Sequence, residues 1–95
     1  MIQELTRRDF TGLEPASIAV DHQGNRLALS VVETRDLPPI SPRAHPFAVI
    51  LSGPPAPVLA QGVHALLHPQ RGRLELFMVP VGRDAHAASY EIVFN

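Results

Sequence analysis

The chain contains no cysteine. Disulfide stapling, thiol catalysis and thiolate metal sites are therefore excluded, and a cytoplasmic setting is compatible with this without being required by it. Tryptophan is also absent and tyrosine occurs once. The core is therefore expected to be aliphatic, with Phe10, Phe47, Phe77 and Phe94 as its large members. Lys and Arg number 8 against 9 Asp and Glu. With no basic excess to grip a phosphate backbone, no nucleic-acid partner is expected. Only 18% of residues are charged and the net charge is -1, so the surface resists self-association weakly. No apolar run approaches the roughly 20 residues that span a bilayer. The start, Met1-Ile-Gln-Glu-Leu-Thr-Arg-Arg8, has no apolar stretch after its arginines and does not read as a signal peptide.

What is present is strand. Arg73–Val79 and Ser89–Asn95 repeat apolar residues at period two, which is the strand period and not the helix period. Arg26–Glu33 places Leu27, Leu29 and Val31 on one face. Ala16–Val20, Phe47–Leu51 and Val63–Leu67 are three further strand candidates, the second of them apolar enough to be central and covered on both faces. Asp21-His-Gln-Gly-Asn25 reads as a hairpin connection with Gly24 free to take positive φ. His68-Pro-Gln-Arg-Gly72 reads as another, and Pro80-Val-Gly82 as the end of the strand that follows it. Near the N-terminus, Thr6 with Asp9, or Thr11 with Glu14, would cap a short helical turn anchored by Phe10 and Leu13.

These signals predict an all-β fold, a small antiparallel barrel or sandwich of about six strands with a short N-terminal helical turn. The expected domain is a single one, 1–95. The expected interior is Leu27, Leu29, Val31, Phe47, Val49, Leu51, Val63, Ala65, Leu67, Leu74, Leu76, Met78, Ile92 and Phe94. A proline-rich arm at 37–46 carries Pro38, Pro39, Pro42 and Pro46 and reads either as a crossing loop or as a mobile arm. Ser52-Gly-Pro-Pro-Ala-Pro57 is a second proline-rich connection, docked by Val58 and Leu59.

Few residues invite chemistry. Of the five histidines, His64 and His68 share a strand face but stand about 13 Å apart at strand rise. His22, His45 and His86 fall in loops, and nothing in their spacing makes them converge, so no metal and no cofactor is expected. Asp84 two residues before His86 would orient an imidazole toward Ser89, Ser41 or Ser52, but no strand-to-helix elbow surrounds any serine. Gly82 and Asp84 equally suit a turn. Glu75 and Glu91 on neighbouring strands would make a carboxylate pair, yet they alternate with apolar residues as solvent-facing positions do. Arg71, Arg73 and Arg83, with Arg26, gather around the last two hairpins without the aromatic platform of a nucleic-acid sheet. No catalytic residue is assigned and no enzyme activity is expected. Phe77, Val79 and Val93 lie opposite the expected core face. Either the N-terminal segment or the proline arm covers them, or they form an interface.

Phe47-Ala-Val-Ile-Leu-Ser-Gly-Pro54, Gln61-Gly62, Leu67-His-Pro69, Gly72, Leu74-Glu-Leu-Phe-Met-Val-Pro-Val-Gly-Arg-Asp84 and Tyr90-Glu-Ile-Val-Phe94 resemble the core pattern of an uncharacterised bacterial domain family. Phe10 and Leu13 resemble its N-terminal anchor. Its members are small conserved hypothetical proteins, some encoded near phage tail-collar-like proteins. The resemblance is densest from 47 to 94 and departs most between 33 and 46, where this chain is richer in proline. It implies a non-enzymatic interaction or structural accessory module without naming its partner; a protein partner or self-association is expected, with tail-collar-like proteins as one candidate, and no membrane, since no apolar run is long enough to span one. The alternative is a small-molecule-binding β-barrel, whose mark would be an enclosed apolar cavity; a hydrolase or metal-binding protein ranks below both.

Overall fold

The His22–Asn25 turn sets the first hairpin. Gln23 and Gly24 both sit at positive φ, 51° and 83°, the arrangement of a two-residue type I′ connection whose twist matches its flanking strands. In the computed structural model, which describes residues 5–39 and 45–95, this hairpin joins β1 (Ile18–His22) to β2 (Asn25–Asp36). Four strands follow: β3 (Phe47–Gly53), β4 (Gly62–His68), β5 (Gly72–Arg83) and β6 (Ala88–Phe94). A four-residue 3-10 turn, η1 (Arg7–Phe10), precedes them. The fold is all-β, a closed antiparallel barrel in the order β1-β2-β3-β6-β5-β4.

Two long strands close the barrel. β2 pairs with β1 through Asn25–Leu29 and then with β3 through Ser30–Asp36. β5 pairs with β4 through Gly72–Met78 and with β6 through Val79–Arg83. Each strand slips register, between Val31 and Glu33 in β2 and between Pro80 and Gly82 in β5. A bulge of this kind bends a strand and raises its twist, as a barrel corner needs. It also corrects the expectation that Pro80-Val-Gly82 ends the strand. Proline is tolerated at a bulge, so β5 runs on to Arg83.

The described ends of the proline arm at 37–46 stay within one sheet and do not cross between sheets. Asp36 pairs with Phe47, and the Leu37 N–H donates to the Pro46 carbonyl at 2.9 Å, so β2 and β3 are antiparallel neighbours up to these residues. Ile40, Ser41, Pro42, Arg43 and Ala44 lie outside the described residues, as does Ile2. The second proline-rich connection does make the crossing, from β3 to β4 over one barrel end. It is pinned there by Leu59, fully buried, whose N–H donates to the Tyr90 hydroxyl at 3.0 Å.

The core is one cluster that includes Phe10, Ile18, Val20, Leu29, Val49, Leu51, Leu66, Met78, Tyr90 and Ile92, with Leu27, Val31, Leu74 and Leu76 half-buried against it. Strand β4 differs from expectation. Val63, Ala65 and Leu67 face outward, Val63 being 65% exposed, while Leu66 and His68 are buried. The pairing explains it: Leu66 lies opposite Leu74 on one side and the buried Val20 on the other, and residues directly opposite share a sheet face. β3 is covered on both faces at its start, where Phe47, Ala48 and Val49 are all buried.

Candidate functional site

One barrel mouth is closed by η1. Phe10 enters it and meets Phe47, Phe94 and His68 at ring-centroid distances of 6.3, 5.5 and 5.3 Å, while Phe47 stacks on Phe94 at 4.4 Å. Of the two capping pairs expected from sequence, Thr6–Asp9 is used. The Asp9 carboxylate accepts the Thr6 N–H at 2.8 Å, and its other oxygen takes the Arg71 guanidinium at 2.8 Å. On the opposite side Arg7 donates to Thr34 and to Asp36, at 2.8 and 3.2 Å. Burial opposes ionisation of Asp9. The Thr6 N–H and the Arg71 hydrogen bond and charge outweigh it and hold the carboxyl below its ordinary value.

The histidines do not converge. His68 is 4% exposed, accepts the Gln70 and Arg71 N–H groups at Nδ1 and donates from Nε2 to the Asp9 carbonyl. His64 bonds the Ala60 carbonyl at 2.7 Å. Among the described residues no three His, Cys, Asp or Glu side chains gather as a metal would need. Asp84 and His86 form a turn: the carboxylate takes the His86 and Ala87 N–H groups, which lowers its pKa. Ser52 and Ser89 face each other across β3 and β6, and Ser41 lies outside the described residues. Glu75 sits opposite Ala65 and Glu91 opposite Val79, four residues further along β5, so the two carboxylates are held apart, one with Arg73 and one with Arg35. The arginine grouping is corrected in part. Arg26 and Arg73 share Asp21, but Arg83 ends the 12-residue β5 that Arg71 precedes.

Shallow concavities flank η1. One of about 220 Å³ is lined by Phe10–Gly12 and Val31–Thr34, and one of about 430 Å³ by Thr6, Arg7, Arg8, Asp36 and His45.

The outer barrel wall is the more distinctive surface. Val63 and Phe77 are directly opposite on β4 and β5, and they are 65% and 53% exposed. Val79 lies two residues on from Phe77 on the same face, half-buried, and Val93 on β6 is 45% exposed. Neither the N-terminal segment nor the described part of the proline arm hides Phe77: η1 packs on β2 and β3 instead. Val63 belongs to this patch although sequence parity places it inside. Its β-branched, alternating setting was compatible with either face, and only the pairing to Phe77 decides.

A family model described as Domain of unknown function (DUF6916) matches residues 5–94, and the chain belongs to that family. Neither the curated proteins nor the solved structures gave a match.

Proposed function

We propose that this family member is a non-enzymatic protein-interaction module that docks a partner on the outer wall formed by Val63, Phe77, Val79 and Val93. The observation that carries the reading is the Val63–Phe77 pair, a β-branched residue and an aromatic left exposed side by side on a rigid sheet. Sheets normally turn such pairs inward, and exposed apolar clusters mark contact surfaces. A protein partner or self-association both fit this wall. The narrower form, an accessory to a phage-tail-like assembly with tail-collar-like proteins as partners, rests on the sequence resemblance alone, as does the cytoplasmic placement on composition. The alternative of a small-molecule-binding barrel is less well supported, because the interior positions carry large side chains in one packed cluster.

Affinity capture from native lysate tests this, with the native chain set against a Phe77→Asp variant verified to be folded. The expected result is one or more specific proteins held by the native chain and released by the variant. No specific protein, together with a monomeric mass in solution, would overturn the proposal. A co-purifying small molecule would put the ligand-binding barrel in its place.

A further inference from the structure

The N-terminal segment holds the barrel only through sockets that a second copy of the chain offers identically. η1 is four residues long, too short to be stable alone, and its place is set by what it plugs into. Phe10 sits on Phe47, Phe94 and His68, Arg7 on Thr34 and Asp36, and Asp9 on Arg71. Every one of these partners belongs to the barrel. Between this knob and β1 run Thr11–Ser17, and two of these residues are left-handed: Gly12 at φ 68° and Ala16 at φ 59°. A residue at positive φ directly after a proline has the form of a type II turn, in which glycine is preferred. Ala16 instead carries a Cβ there, a disfavoured conformation.

We propose that this segment is exchangeable, so that in a dimer η1 of each copy plugs the barrel mouth of the other. All the contacts of η1 are retained in the exchange, which is why such swaps are a low-cost route to dimers. Only the hinge differs. Opened out, seven residues reach about 23 Å, and Ala16 is freed from its left-handed position. Against this, opening forfeits the packing of Leu13 on the core and the bond from the Ala16 N–H to Ser30 Oγ, 2.8 Å long in the closed form. The closed monomer therefore prevails in dilute solution and the exchanged dimer gains with concentration. The inference is independent of the Val63–Phe77 wall.

Light scattering after refolding the full chain over a range of concentrations tests it, using two hinge variants that leave the core untouched. A Cβ on Gly12 meets open space, so Gly12→Ala adds only backbone strain, and only to the closed hinge. The expected dimerisation constant rises about tenfold for Gly12→Ala and falls about tenfold for Ala16→Gly. Phe77→Asp leaves it unchanged. An Arg7→Cys chain and a Thr34→Cys chain, refolded together and treated with a short bismaleimide, give a mixed crosslinked dimer in this otherwise cysteine-free protein. The proposal is overturned if both hinge variants match the native chain, if the mixed crosslink does not exceed that of the two folded proteins merely combined, or if the dimer vanishes with Phe77→Asp.

Discussion

His68 donates from Nε2 to the backbone carbonyl of Asp9, 59 positions earlier in the chain. Its other nitrogen is fully used as well, accepting the Gln70 and Arg71 N–H groups at 3.0 and 3.1 Å. One imidazole thus shapes the β4–β5 turn and holds the N-terminal plug to it. The bonding fixes the tautomer: carbonyls only accept, so Nε2 carries the proton and Nδ1 the lone pair.

His68→Ala is therefore expected to lower stability by about 2–3 kcal/mol, since it removes a buried ring packed on Phe10 and leaves three backbone groups without their partner. Urea denaturation measures it. A change under about 0.5 kcal/mol, the scale of an ordinary surface substitution, would show that the turn and plug stand without it.

Asp9 makes the same junction sensitive to acid. Its folded pKa is depressed, because the hydrogen bonds from Thr6 and Arg71 and the nearby positive charge outweigh burial. A depressed carboxylate binds its proton more readily in the unfolded chain. Its contribution is thus present in full above the unfolded value of about 3.9 and is lost as pH falls below that toward the folded value. Asp9→Asn is expected to be less stable than the native chain at neutral pH, with the gap closing below pH about 4. Denaturation midpoints at neutral and strongly acidic pH measure it; a gap that stays constant would remove Asp9 as the cause.

The sequence announces the barrel's strands because five of the six alternate strongly or carry a turn signal at their ends. Gln23-Gly24 and the His68–Gly72 connection are where expected, and Leu29, Val49, Met78, Ile92 and Phe94 are inside. β4 defeats parity because its outward face is the more apolar one: Val63, Ala65 and Leu67 against Leu66 alone. The buried face is completed by His68, a residue that composition assigns to the surface and that only its three hydrogen bonds reconcile with burial. Tyr90 shares the core parity of Ile92 and Phe94, and Leu59 docks its connection as expected, but the bond between them, 31 positions apart, is something no local pattern records. The exposed wall was half legible: Phe77 and Val93 by parity, Val63 only through its partner.

Gly53 gives a steric test of the corner between β2 and β3. A Cβ there would run into Leu29 Cδ2. Leu29 is 1% exposed and packed in the core, so it has little room to yield. Gly53→Ala is expected to destabilise by about 1–3 kcal/mol, the range for overpacking. Gly82→Ala serves as the control, because its Cβ would meet nothing within 4 Å. Equal denaturation midpoints for the two variants would refute the close approach.

The bond between Leu59 and Tyr90 gives the last prediction, at the barrel end opposite the plug. The crossing from β3 to β4 carries Pro54, Pro55 and Pro57, none of which can donate a backbone hydrogen bond. The Leu59 N–H is one of the few donors left to anchor it, and it is spent on the buried Tyr90 hydroxyl at 3.0 Å. Tyr90→Phe keeps the ring and its packing but leaves that N–H buried without an acceptor. The expected loss is about 1–2 kcal/mol. Leu59→Ala keeps the bond and removes the packing, with an expected loss of about 2–4 kcal/mol. The two losses should not add, because both act by freeing the same segment. Amide exchange at Leu59 separates them from global unfolding: it should accelerate in Tyr90→Phe by more than the change in denaturation midpoint accounts for. An unchanged midpoint with unchanged exchange would mean that the side chain of Leu59, and not the hydroxyl of Tyr90, holds the crossing in place.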